Sequence, residues 1–334
     1  MKQKTKLIAL IICAVTVLAS CAQGEKPQSL GFQAMDTFMQ LSVYGADGAA
    51  EKIKNQITRL DRLLSPTFEK SDIYRLNRGK SATVDELTAQ AVEKSLEQCR
   101  ATDGALDITV YPVVKEWGFI SGNYKIPPRD RLDSLLKTVD YKNVEVNGGE
   151  ITVKNNSELD MGASAKGFAA DKAIELLKES GCKSALLNLG GTVAAYGKKP
   201  DGSKWRVGIA NPDNSAGYIG YVACEDKIAA TSGSYERYFT GGDGKTYCHI
   251  IDSKSGYPAD NGVVSVTIVS DSGTKSDCLS TALFVMGKEK AADFHRKNGG
   301  FEYVILTGDK AYVSKGLEDS FTLSSDKYEK IIDY

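Results

Sequence analysis

A series of short β-type runs, separated only by turns, most constrains what this chain can fold into. They occupy residues 185–189, 192–197, 205–210, 217–223 and 228–230, and the strongly β-branched stretch 262–269 should be a central strand. Neighbours this close can pair through hairpins, whereas parallel pairing needs a crossover of about twelve residues or more. Helical patterns come in pairs around the series. Ile53, Ile57, Leu60 and Leu64 recur at helical spacing over 50–64. Asp85 can cap a second helix reaching Ala101, with Ala91, Val92, Leu96 and Cys99 inward. Pro127-Pro128 should start a short helix through Leu136, and 144–153 alternates around Gly148-Gly149 as a hairpin would. A strand at 39–44, helices over 163–180, 276–286 and 288–297, and a closing hairpin at 303–313 complete the pattern. The expected fold class is α+β, with mainly antiparallel sheets and packed helices rather than a doubly wound sheet.

The first twenty residues are of another kind. Lys2, Lys4 and Lys6 precede the apolar run 7–17, and Leu18-Ala19-Ser20-Cys21 closes it. We read residues 1–20 as a signal peptide ending in a lipoprotein cleavage box, with lipidation at Cys21. A plain secretory signal or a membrane span is the alternative, but the run is short for a span. Residues 21–30 then form a lipidated polar tether, and 31–334 a single domain of two sub-lobes dividing near residue 150. The expected location is the cell membrane, lipid-anchored, on the periplasmic or extracytoplasmic side.

Lys and Arg (42) nearly balance Asp and Glu (43), and no basic run or aromatic–basic stripe appears, which argues against a nucleic-acid partner. Beyond Cys13 and Cys21, the cysteines at 99, 182, 224, 248 and 278 are odd in number and form no C-x-x-C pair, so buried free thiols are expected. With only His249 and His295, a zinc site is disfavoured. Neither a G-x-G-x-x-G nor a G-x-x-x-x-G-K-[ST] cradle is present.

Chemistry concentrates in two distant segments, 160–171 (DMGASAKGFAAD) and 277–287 (DCLSTALFVMG). Each sets an acid and small residues where a turn should enter a helix, an arrangement suited to an anion at a helix N-terminus. Asp277 and Thr281 are four apart and share one helical face, so they can offer two hard oxygens to one cation. Lys166 is a compact cation suited to a pyrophosphate. Together the segments suggest a phosphate-bearing ligand held with Mg²⁺.

With five further segments, the chain resembles the FAD:protein FMN transferases, the ApbE-type flavin transferase lipoproteins. The segments are Met35-Asp-Thr37, Ser65 through Ser71-Asp-Ile73 to Leu76-Asn77, Gly104-Ala-Leu-Asp107-Ile-Thr109, Thr231-Ser-Gly233-Ser-Tyr-Glu-Arg237 and His249-Ile-Ile-Asp252-Ser-Lys-Ser-Gly256-Tyr-Pro258. All seven stand in family order, with Asp36 where the family has Gly. The resemblance implies a T-fold-related ApbE-like architecture with the site in a cleft between sub-lobes. It implies a flavin site lined by Met35, Thr67, Ala105, Leu106, Asp107 and Ile251, with Asp160 and Lys166 on the dinucleotide. Thr67 stands where the family often has Tyr, so Phe68 could supply that stacking contact. The implied Mg²⁺ ligands are the Ala163 carbonyl, Asp277 and Thr281, with Ser280 beside them. His249 is the implied base, and Asp252 either orients it or caps the turn through Gly256.

The implied activity is Mg²⁺-dependent transfer of FMN from FAD, the substrate, to a Thr or Ser hydroxyl of a target protein, releasing AMP. The expected acceptors are subunits of membrane redox complexes. FAD pyrophosphatase action, giving FMN and AMP, and non-catalytic flavin binding are the alternatives.

Overall fold

Inward Leu30 and Phe32 alternate with outward Ser29, Gly31 and Gln33 along β1 (Gln28–Ala34), which pairs in full register with β2 (Thr37–Tyr44). The computed structural model describes residues 26–334. Cys21 and the expected signal peptide lie outside them, and β1 starts three residues inside the segment expected to be a tether.

Helix α1 (Ala49–Leu64) buries Ile53, Ile57, Leu60 and Leu64 as their spacing predicts. Helix α2 (Asp72–Gly79), absent from the sequence reading, starts where the Ser71 hydroxyl accepts the Tyr74 N–H. Strand β3 (Ser81–Thr83) leads to α3 (Glu86–Ala101), capped by Asp85 through the Leu87 N–H. Two shorter helices follow, α4 (Tyr111–Glu116), also unforeseen, and α5 (Arg129–Leu136). The hairpin β4 (Val144–Asn147) and β5 (Glu150–Val153) joins β3 in a small sheet, so residue 150 lies inside one sheet.

Helix α6 (Ala165–Glu179) precedes β6 (Ser184–Asn188), β7 (Thr192–Tyr196), β8 (Trp205–Asn211), β9 (Asn214–Cys224) and β10 (Lys227–Gly233). Residues 231–233, which open the quoted segment Thr231–Arg237, therefore end a strand. The short hairpin β11 (Tyr238–Thr240) and β12 (Thr246–Cys248) stands apart as its own two-stranded sheet. Interior strand β13 (Val263–Ser270) feeds α7 (Gly273–Met286) and α8 (Lys288–Asn298). Hairpin β14 (Glu302–Thr307) and β15 (Lys310–Ser314) does not close the chain, because β16 (Phe321–Leu323) and β17 (Glu329–Asp333) follow.

The main sheet has nine strands in the order β1-β2-β6-β7-β10-β13-β14-β15-β17, antiparallel except for the last pair. Both faces are covered: adjacent Ala194 and Ala195 on β7 enter different core clusters. One face packs against α1, α3, α6 and α7, the other against the β16-β9-β8 sheet. The α+β, mainly antiparallel class expected from the sequence is the observed one. The cysteines at 99, 182, 224, 248 and 278 are free and buried. Among the described residues no helix is long and apolar enough to cross a membrane.

Candidate active site

The two chemistry-bearing segments meet where α6 crosses α7. A Cβ on Gly167 would lie 2.2 Å from the Gly273 carbonyl oxygen, and one on Gly273 would lie 2.3 Å from that of Gly167. Only glycine at both positions allows this approach. The Asp171 carboxylate fastens the crossing. It accepts the N–H groups of Gly273 (2.6 Å) and Thr274 (3.0 Å), donors that a helix N-terminus otherwise leaves unpaired.

α7 begins at Gly273, earlier than its sequence suggests, so Asp277 lies one turn inside the helix instead of at its start. Its buried carboxylate turns back to α6, where Oδ2 accepts the Gly167 N–H at 2.8 Å. In an unbroken helix that N–H would bond the Ala163 carbonyl. Asp277 takes it, and among the described residues nothing donates to the Ala163 oxygen. Nor does any cation of the described residues pair with Asp277.

Thr281 lies one turn further along α7. Ser232, at the end of β10, bonds its hydroxyl at 3.1 Å and that of Ser280 at 2.8 Å, while Ser280 also donates to the Asp277 carbonyl at 2.8 Å. A buried carboxylate with no cation beside it is costly even with the Gly167 N–H and Thr192 hydroxyl donating to it, and an open carbonyl and a fixed hydroxyl nearby are the oxygen donors a small divalent cation accepts. The residues present therefore fit Mg²⁺. Among the described residues no three of His, Cys, Asp and Glu cluster, so such an ion would rest on few side chains.

A charged group lies beside this one. Asp160, half-buried, accepts the Gly162 N–H at 2.8 Å; burial pushes its carboxyl up, against the pull of that bond and the Arg237 and Lys166 charges. Burial raises the Glu236 carboxyl as well, again opposed by Lys166 and Arg237, with Asp277 adding to the rise. The His249 pKa is held down to about 3, chiefly by burial and then by the Arg237 and Lys166 charges. Its Nδ1 lies 3.2 Å from the Arg237 carbonyl oxygen, which can only accept. The proton therefore sits on Nδ1, and the Nε2 lone pair stays available at neutral pH.

Asp252 does not orient His249. Its Oδ1 accepts the Lys254 N–H at 2.9 Å and its carbonyl accepts the Gly256 N–H at 2.8 Å, which closes the turn. Asp107 is likewise committed to the protein: Oδ1 accepts from the Thr109 N–H and hydroxyl, and Oδ2 accepts the Tyr141 N–H at 3.0 Å. Leu106 is buried in the main core and its N–H donates to Thr102, leaving half-buried Ala105 as the more accessible neighbour. Ile251 is buried against Trp117 and Val113, away from solvent. Ser253 donates to the Gly104 carbonyl at 2.7 Å and so ties these two turns together.

Met35 and Asp36 form the two-residue turn between β1 and β2, both with positive φ (50° and 59°). Glycine is the usual occupant of such a position, and Asp is among the residues that tolerate it. Thr67 is exposed beside Phe68, whose ring is 44% exposed and open to stacking.

Sequence reasoning quoted Ser232, Glu236 and Arg237 without giving them a place in the site. It also missed the task of Asn77, whose amide donates to the Leu159 carbonyl (3.0 Å) and accepts its N–H (2.6 Å), fixing the backbone next to Asp160. A Leu-Asn pair at the end of a helix carries no local signal of a partner so distant in sequence.

An antiparallel α+β body with its acidic and hydroxyl groups gathered at a glycine-to-glycine helix crossing defines one class of protein. The chain belongs to the ApbE family, whose model matches residues 35–305. It is 30% identical to the FAD:protein FMN transferase of Escherichia coli K12 over 319 residues, covering 88% of this chain and 91% of that one. Among solved structures, the ApbE protein of Thermotoga maritima superposes with a TM-score of 0.78 at 31% identity, over 90% of this chain and 97% of the other. The apo flavinyl transferase ApbE of Pseudomonas stutzeri gives 0.80 at 26% identity, over 90% and 99%.

Proposed function

We propose that this chain is an FAD:protein FMN transferase that moves FMN from FAD to a Thr or Ser hydroxyl of a target protein and releases AMP. The observation that carries the reading is the Asp277 carboxylate, buried without a cation and drawing the Gly167 N–H away from the Ala163 carbonyl. Ala163, Asp277 and Thr281 would hold Mg²⁺, which when bound neutralises charge on a pyrophosphate. Lys166 and Arg237, whose charges both act on Asp160, Glu236 and His249, add positive charge at the site. The acceptor hydroxyl gives its proton to Nε2 of His249 as its oxygen bonds the FMN phosphorus and the anhydride bond to AMP breaks. Imidazole suits this task only when neutral, which burial and the Arg237 and Lys166 charges favour, while the Arg237 carbonyl fixes the proton on Nδ1.

We place the acceptor among subunits of membrane redox complexes and the enzyme on the membrane through a lipid at Cys21. The N-terminal mass of the mature protein tests the anchor: an acyl-free chain starting elsewhere than residue 21 would overturn it. The activity is tested by incubating the protein with FAD, Mg²⁺ and such subunits, then reading in-gel flavin fluorescence. Covalent flavin with stoichiometric AMP is expected. Rapid multiple-turnover AMP release without acceptor, and no flavinylated band, would establish a pyrophosphatase instead.

A further inference from the structure

The β11–β12 hairpin is rooted in the site. Arg237 precedes it and His249 follows it, and the His249 N–H donates to the Arg237 carbonyl at 3.0 Å. At the far end the Gly241 N–H donates to the Lys245 carbonyl at 2.8 Å. In an antiparallel ladder hydrogen-bonded pairs alternate with non-bonded ones, so Phe239 and Tyr247 bond each other between these two. The N–H and C=O groups of Tyr238 and Thr240 therefore point outward, and among the described residues neither finds a backbone partner.

The two strands differ in cover. One face of the hairpin is closed by rings: Phe239 stacks on Tyr124 at 5.1 Å, and Tyr247 lies 5.1 Å from Trp117. On β12, Cys248 is buried, while Thr246 is exposed like its partner Thr240. On β11, Tyr238 is 53% exposed and Thr240 is exposed as well. At the end nearest the site β11 is thus the open strand, and it leads into Arg237, whose carbonyl holds the N–H and Nδ1 of His249.

We infer that the β11 edge docks an extended segment of the acceptor protein by strand addition, delivering that segment's Ser or Thr hydroxyl to His249. This rests on the transferase reading. Main-chain pairing would give affinity, leaving choice of sequence to side-chain contacts, and exposed Tyr238 would supply a flat apolar one. An extended strand advances about 3.3 Å per residue, so a hydroxyl a residue or two beyond the partner of Tyr238 reaches the base of the hairpin.

Thr240→Pro tests the inference, because its N–H points outward and its loss leaves the ladder inside the hairpin intact. The probe is a synthetic library of strand-length peptides with a central Thr, scored by mass for covalent FMN. A reactive peptide is then compared with versions N-methylated at alternate amides. Thr240→Pro should raise the KM for the peptide about tenfold or more, with kcat and FAD binding little changed. N-methylation should weaken transfer at one set of alternate positions and not at the other. An unchanged peptide KM in Thr240→Pro, or N-methyl effects without alternation, would overturn strand addition while leaving the transferase reading standing. Absence of flavinylation of peptide and membrane proteins alike by the wild type would sink both.

Discussion

Asp277 and Gly167 are joined across the α6–α7 crossing, the buried carboxylate accepting the glycine N–H at 2.8 Å. One contact closes the helix pair, opens the Ala163 carbonyl and leaves a negative charge for a cation to neutralise. Structure and chemistry therefore share an atom, and substitutions must be chosen to separate them.

Asp277→Asn does so. The amide oxygen can still accept the Gly167 N–H, so the crossing should survive, whereas the charge is gone. Near-native far-UV circular dichroism is expected, with Mg²⁺-dependent AMP formation from FAD reduced about a hundredfold or more. Thr281→Ala should be milder, since a hydroxyl is the weaker ligand. Wild-type turnover and unchanged EDTA sensitivity in Asp277→Asn would rule out the site.

Gly167→Ala probes the crossing itself. The new Cβ would meet the Gly273 carbonyl carbon at 2.6 Å and the Asp277 Cβ at 2.7 Å, and neither is the yielding end of a flexible side chain. Overpacking of this kind costs about 1–3 kcal/mol, readable as a lower denaturation midpoint at unchanged m-value. Activity should fall further than stability alone predicts, because separating the helices moves Asp277 from Ala163. A variant as stable and active as the wild type would show that the crossing tolerates a wider spacing.

The amphipathic helices were legible because their apolar stripes have a period: α1 and α3 begin and end almost where the spacing and Asp85 predict. The start of α7 was not. Gly273, Thr274, Ser276, Asp277, Cys278 and Leu279 are all buried, so the helix lies within protein on every side and its sequence has no polar face to mark its limits. Strand β17 escaped notice because its sequence, EKIID, is mostly charged, and its parallel pairing with β15 is set by tertiary contact. That Asp277 and Thr281 lie one turn apart on a single helix was legible from their spacing. The choice between two tasks for Asp252 could be made only from distances, and Glu236 reads in sequence as an ordinary surface charge.

Asn77→Ala would remove both bonds to Leu159 and leave a buried N–H and a buried C=O unpaired. Each such group costs about 1–3 kcal/mol, so the loss should be about 2–6 kcal/mol in urea unfolding. The segment it holds leads into Asp160, so FAD affinity should also weaken while the chemical step in saturating FAD is less affected. If stability fell with no change in FAD affinity, Asp160 would be positioned by other contacts.

The His249 imidazole gives a pH signature. Its pKa falls from an ordinary 6.5 to about 3, chiefly through burial and then the Arg237 and Lys166 charges. The folded protein thus binds fewer protons here than the unfolded chain between those values. Its contribution to stability is fully present above the unfolded pKa and is lost as pH falls from 6.5 towards 3. For catalysis, the same shift keeps Nε2 unprotonated through mildly acidic pH, so kcat/KM for transfer should show no acid limb near 6.5. His249→Ala should slow transfer about a hundredfold with FAD affinity little changed, and should flatten the dependence of stability on pH across that window. The slow hydrolysis of FAD without acceptor should respond less, because water needs no proton taken by a base positioned for a protein hydroxyl. A wild-type limb at 6–7 that vanishes in His249→Ala would show that the imidazole titrates normally. Transfer at the wild-type rate in the variant would remove His249 from the reaction.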